Sequence, residues 1–178
     1  MSDIFRYIQT HPDMDHMDGL KNLANSKLII NFWDTTNTKE QSFDEYGNCG
    51  RYKKEDWDCY QRLSKSEYNP KALTFYDGTT AKYFAEDDNG ALSDHYLKIL
   101  SPTKELIKAA EAAGDWNVSS YVILYCIQGR KLLFCGDAGM GTINHLLEHH
   151  KDDIANLDVL IAPHHGRDSD KDFTFLDI

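Results

Sequence analysis

No two cysteines of this chain stand in a C-x-x-C pair, which leaves no thiol motif for a zinc ribbon or a dithiol redox centre. The four cysteines are Cys49, Cys59, Cys126 and Cys135. Cys126 and Cys135 sit in apolar, strand-like runs, where buried thiols are ordinary. Cys49 and Cys59 would join only in an oxidising compartment, of which the sequence gives no other sign. The cysteines therefore read as reduced and the protein as cytoplasmic. No apolar run reaches membrane-spanning length, so no membrane segment is expected. The first residues, "MSDIFRYIQTH", lack the basic stretch and apolar core of a secretory signal. Repeats and low-complexity linkers are also absent. Positive charge is scarce: 19 Lys and Arg stand against 29 Asp and Glu, a formal net charge of −10. An acidic surface repels phosphate and disfavours broad, non-specific nucleic-acid binding. A local basic groove, or cations held in an acidic site, still leaves room for a phosphodiester.

What is present is a globular composition, with 41% hydrophobic and 12% aromatic residues over 178 positions. That length suits one domain with a buried core. Strands are expected at Ile4 to Thr10, Lys27 to Trp33 and, ending at Pro102, in "DHYLKILSP". "ALTFYDG" and "TAKYFAE" flank Gly78 as a candidate hairpin. "SYVILYCI" and "KLLFCG" read as a strong hairpin of buried strands, and "DVLIAP" as a short buried strand. Helices are expected over Asp18 to Asn25 with Asp18 as N-cap, and over Lys54 to Lys65 with Trp57, Tyr60 and Leu63 on one face. Thr103 to Gly114 runs between a Thr N-cap and a Gly C-cap, and "TINHLLEHHKDDI" forms one further helix. "DFTFLDI" reads as the start of a last helix. The polar stretch Asp34 to Arg51 reads as a loop or lid. This mixture defines an α/β or α+β domain.

Three places carry chemistry. His11-x-Asp13-x-Asp15-His16 follows a strand and precedes a helix, in the kind of loop where scaffolds present functional groups. Imidazole and carboxylate together suit zinc, manganese or ferrous ions. In extended backbone alternate side chains share a face, so His11 and Asp13 can share one metal, and a turn after Met14 aims Asp15 and His16 at a second. The second place is Asp137, just past a buried strand, whose carboxylate is a natural bridge between two cations about 3.5–4 Å apart. The third is His164-His165, again after a strand. Adjacent side chains diverge, so one is expected as ligand or catalytic group and the other as its support. If those strand ends lie together, one site collects all three clusters. His145 and His149 also stand at a chelating i, i+4 spacing, but with no third ligand type beside them they read as solvent-facing. The one basic cluster, Gly50 to Lys54, reads as a solvated loop.

In this order, His-x-Asp-x-Asp-His, then Gly-Asp after a hairpin, then "PHHG" after a strand, the chain resembles the metallo-β-lactamase superfamily. The common signature has His where Asp13 stands. The Asp variant resembles the ComEC-like subgroup, which contains the hydrolase domain of the competence DNA-uptake protein. That subgroup also has an Asn-x-Ser stretch, matched here by Asn117, Ser119 and Ser120. The resemblance implies a four-layer αββα sandwich with mixed sheets over residues 1–178, with an insertion at 34–70. Compared with the family, the motif starts early and the chain ends before a further histidine. So the resemblance implies a partial domain, its final ligand either absent or supplied by a second copy or a partner chain.

The implied activity is metal-assisted hydrolysis. Two divalent ions, zinc or manganese, would be held by His11, Asp13, Asp15, His16, Asp137 and His165. Asp15 would orient the attacking water, and His164 or His165 would protonate the leaving oxygen or stabilise charge. Asn117, Ser119 and Ser120 would hold substrate, a phosphodiester in a nucleotide or nucleic acid. Two rivals stand beside this: a hydrolase of small esters, thioesters or lactones on the same fold, and a non-catalytic, regulatory metal-binding module.

Overall fold

The computed structural model describes residues 3–84 and 93–167. It is a mixed α/β structure with helices and several sheets. The chain divides into two compact units, Met1–Thr74 and Phe75–Ile178. Among the described residues no helix is long and apolar enough to cross a membrane. "DFTFLDI" and the end of the "TAKYFAE" run lie outside the described residues.

The first unit opens with β1 (Ile4–Ile8), a single 3₁₀ turn (Met14–His16), α1 (Leu20–Ser26) and β2 (Ile29–Trp33). β1 and β2 are parallel, with Ile4 opposite Ile29 and Ile8 opposite Trp33. A parallel pair needs a crossover, and α1 supplies it. A tight ribbon of β3 (Asn48–Cys49) and β4 (Tyr52–Lys53) comes next. It begins inside the stretch expected as loop. Then come α2 (Lys54–Ser64) and β5 (Lys71–Leu73), which pairs in parallel with β2. α2 buries Trp57, Cys59, Tyr60 and Leu63 against Met17, Leu20, Ile29 and Phe32. The rings of Tyr7 and Phe32 stack at 5.2 Å. Each such side chain contributes about 1.5–3 kcal/mol by leaving water, so this layer fixes the carboxyl ends of β1 and β2.

The structure corrects two local expectations between residues 18 and 84. Asp18 does not cap α1. Gly19 takes that place with φ +83, a left-handed conformation that glycine adopts without steric cost. The carboxylate of the buried Asp56, on α2, accepts the N–H groups of Gly19 and Lys21 at 3.1 and 2.8 Å. A cap from a residue so distant in sequence leaves no local signature. Among the described residues the hairpin about Gly78 is also not formed. "KAL" joins the parallel sheet, and Lys82–Phe84 is a 3₁₀ turn, because α2 delivers the chain back alongside β2.

The second unit carries β6 (His95–Ser101), α3 (Lys104–Ala113), β7 (Val122–Ile127), β8 (Arg130–Phe134), α4 (Met140–His149), α5 (Lys151–Ile154) and β9 (Val159–Ile161). Its sheet runs β6-β7-β8-β9. The first three strands are antiparallel and β9 joins β8 in parallel. Leu100, Val122, Leu124, Leu133 and Leu146 form its core. α3 is capped as its sequence indicates: the Thr103 hydroxyl accepts the Leu106 N–H at 3.1 Å, and Gly114 closes the helix. The expected single helix after Gly139 instead breaks at His150, giving α4 and α5. β9 is not a buried strand: Val159 and Ile161 are 42% and 49% exposed.

Candidate metal centres

The first cluster lies past the carboxyl end of β1, where open parallel sheets present ligand-binding loops. Pro12 and the turn at Met14–His16 fold the chain back on itself. The rings of His11 and His16 come to 4.1 Å between centroids. His11 is fully buried. Its Nδ1 lies 3.2 Å from the Thr10 hydroxyl, and so does Nδ1 of His16. One hydroxyl oxygen can accept from both rings. With the hydroxyl accepting from both, the proton of each neutral ring would sit on Nδ1 and the lone pair on Nε2, the form in which histidine binds a metal. Gln9, itself buried, donates from Nε2 to the carbonyls of His11 and His16 at 2.8 and 3.2 Å and pins the loop.

The Nε2 atom of His11 is buried and makes no hydrogen bond. It faces Oδ2 of Asp13 at 3.6 Å, and Nε2 of His16 faces Oδ2 of Asp15 at 4.0 Å. The other oxygen of Asp13, Oδ1, takes the Lys39 ammonium. Burial alone would raise the Asp13 carboxyl; the contacts with His11 and Lys39 outweigh it and hold the group below the usual carboxylate range. Lys39 carries no local signal in the sequence, because it lies in the polar stretch, 26 residues from its partner.

The second cluster is built on the sheet of the second unit. β8 and β9 run in parallel, with Phe134 beside Ile161, so the loops after the two strands emerge side by side. Asp137 is buried, and its Oδ2 lies 3.9 Å from Nε2 of His164 and 3.6 Å from Nε2 of His165. The His164 N–H donates to the Gly136 carbonyl at 3.0 Å, which ties the two loops together. His164 and His165 both adopt left-handed backbone, with φ 51 and 57.

β7 runs antiparallel to β8, so the residues before β7 sit beside Asp137. Ser120 is there, buried, and its hydroxyl accepts the Asp137 N–H at 3.2 Å. Ser119 is also buried and donates to the Trp116 carbonyl at 2.8 Å. Both hydroxyls are thus engaged within the unit, Ser120 as a support for Asp137. Asn117 is only partly buried, and its side-chain oxygen makes no hydrogen bond.

Trp33, Trp57, Tyr60 and Tyr121 are core residues, and His95 is exposed. In the basic run, Arg51, Lys53 and Lys54 face solvent. No family model and no curated protein matches the chain.

Proposed function

We propose that the chain is a metal-dependent hydrolase of the phosphodiesterase kind, built as a ComEC-like member of the metallo-β-lactamase superfamily, with the αββα sandwich that this implies. The observation that carries the reading is the His11 ring, fully buried, with Nδ1 at a hydroxyl and Nε2 making no hydrogen bond beside a carboxylate. A buried polar atom without a partner costs about 1–3 kcal/mol, which a bound divalent ion offsets. The donor set, imidazole with carboxylate, fits zinc or manganese.

Bound divalent ions would supply a water of lowered pKa, the nucleophile of such a hydrolysis. His11, Asp13, Asp15, His16, Asp137 and His165 are the residues assigned to holding them. Thr10 and Ser120 hold the histidines and Asp137 in place. Asp15, at the surface of its loop, is assigned to orienting the water. His164 or His165 carries the proton to the leaving oxygen. The net charge of −10 favours a small, nucleotide-sized phosphodiester over a long polymer.

Elemental analysis of the purified chain, with His11→Ala and Asp137→Ala beside it, tests the metal assignment. Hydrolysis of bis(p-nitrophenyl) phosphate with added manganese or zinc tests the chemistry. A lower metal count and lost turnover, together in both variants, support the reading. Metal without phosphodiester turnover, but with cleavage of a thioester or lactone, moves the substrate class. Metal with no turnover of any of these leaves a binding module.

A further inference from the structure

We propose that Asp77, His145 and His150 form a zinc site in the second unit, using none of the residues assigned to hydrolysis. Oδ2 of Asp77 lies 3.0 Å from Nε2 of His145, and Oδ1 lies 2.9 Å from Nε2 of His150. The three ligand atoms lie within 4.8 Å of one another. Ligand atoms about 3.3 Å apart are what bonds of about 2.0–2.1 Å in a tetrahedral zinc site produce.

Two observations separate this cluster from an ordinary ion pair. Oδ1 of Asp77 and Nε2 of His150 are both shielded from solvent, and neither makes a hydrogen bond, although they are 2.9 Å apart. Close together but without hydrogen-bond geometry, the two atoms stand as neighbouring ligands of one cation would, while Nε2 of His145 is within hydrogen-bonding distance of Oδ2 of Asp77. The opposite ring nitrogen, Nδ1 of His150, contacts Oδ2 of Asp153 at 3.2 Å, and the Lys98 ammonium holds the other oxygen of Asp153 at 2.6 Å. A carboxylate on Nδ1 leaves the lone pair on Nε2, the usual support of a histidine that binds metal. Two imidazoles and one carboxylate suit zinc better than calcium or magnesium.

The break between α4 and α5 makes the cluster. His150 closes α4 with φ −128 and ψ 20, and this turns its ring toward Asp77. His149, on the regular helix, is 53% exposed at its side chain beside Glu148. Asp77 and His150 also line a cavity of about 290 Å³ with Thr79, Phe84 and Lys98, so an ion has a way in. Zinc here would tie the Asp77 turn to the α4–α5 junction.

The test uses the full chain. Zinc is titrated while the ring signals of its histidines are monitored in a long-range proton–nitrogen correlation spectrum. The signals of His145 and His150 are expected to move with the first equivalents of zinc, and that of His149 to stay. By elemental analysis, Asp77→Asn and His150→Gln should each lose one zinc per chain. His149→Gln, His11→Ala and Asp137→Ala should all keep it. This count makes the result independent of the hydrolase reading. Unmoved His145 and His150 signals in excess zinc, or an unchanged zinc count in both variants, would overturn the proposal. If a variant fails to fold by circular dichroism, the spectrum of the unsubstituted chain decides alone.

Discussion

The Thr10 hydroxyl stands 3.2 Å from Nδ1 of both His11 and His16. One oxygen is thus placed to orient two candidate ligands at once. Removing such a support typically costs 10–100-fold in metal affinity. Thr10→Val is expected to lower affinity by that factor with the fold intact, and Thr10→Ser to restore most of it. Competition against a chromophoric chelator measures both. Equal affinities for Thr10→Val and the unsubstituted chain would show that the hydroxyl orients neither ring.

Asp34 is buried at the carboxyl end of β2 and accepts the Tyr60 hydroxyl at 2.8 Å. Burial pushes its carboxyl up to about 7, although the bonds from Tyr60 and Thr35 act the other way. The unfolded group titrates near 4. Between about pH 4 and 7 the folded chain therefore binds the extra proton, and stability falls as pH rises through that window. Asp34→Asn removes the titrating group. Its stability advantage over the unsubstituted chain is expected to grow from pH 5 to pH 8 by on the order of 2–4 kcal/mol, read from urea midpoints. A difference that stays flat with pH would mean that Asp34 is charged in the folded state at both.

How far the sequence can be read depends on where the information lies. The β7–β8 hairpin and α3 are legible because alternation, a Thr cap and a closing Gly act within a few residues. The histidines and aspartates past β1, β8 and β9 are legible as groups for the same reason. Lys39 on Asp13, Asp56 on the first turn of α1 and Ser120 on Asp137 are not, since each joins residues 17 or more apart. His145 and His149, which their spacing reads as solvent-facing, differ: His149 is exposed, but His145 is part-buried beside Asp77, which also meets His150. The helix break that brings His150 to Asp77 leaves no mark in the periodicity.

His164 and His165 hold left-handed backbone, φ 51 and 57. That conformation costs a residue with a Cβ roughly 1–2 kcal/mol, and glycine avoids the cost while losing some chain entropy. Replacing His165 by Ala removes the ring and keeps the strain; replacing it by Gly removes both. His165→Gly is therefore expected to be more stable than His165→Ala by about 1 kcal/mol, while both lose the imidazole. Thermal unfolding checks the order. Equal stabilities would mean that the loop relaxes out of the left-handed region once the ring is gone.

Lys39 decides how much of Asp13 a metal can use. Its ammonium neutralises Oδ1 and leaves Oδ2 toward His11. A lysine and a bound metal both favour the ionised carboxylate, but the ammonium repels a divalent ion placed beside it. Lys39→Met removes the competing charge, so zinc or manganese is expected to bind the loop about tenfold more tightly, the effect of roughly 1.4 kcal/mol of relieved repulsion. Lys39→Arg keeps the charge and should leave affinity near the original. The comparison is made by calorimetric titration of the chain carrying His150→Gln, so that zinc taken up by the Asp77 cluster does not enter the count. A fall in affinity in Lys39→Met would reverse the assignment. The lysine would then hold the Asp13 carboxylate in its ligating position, and the ammonium would be part of the centre's support, not its competitor.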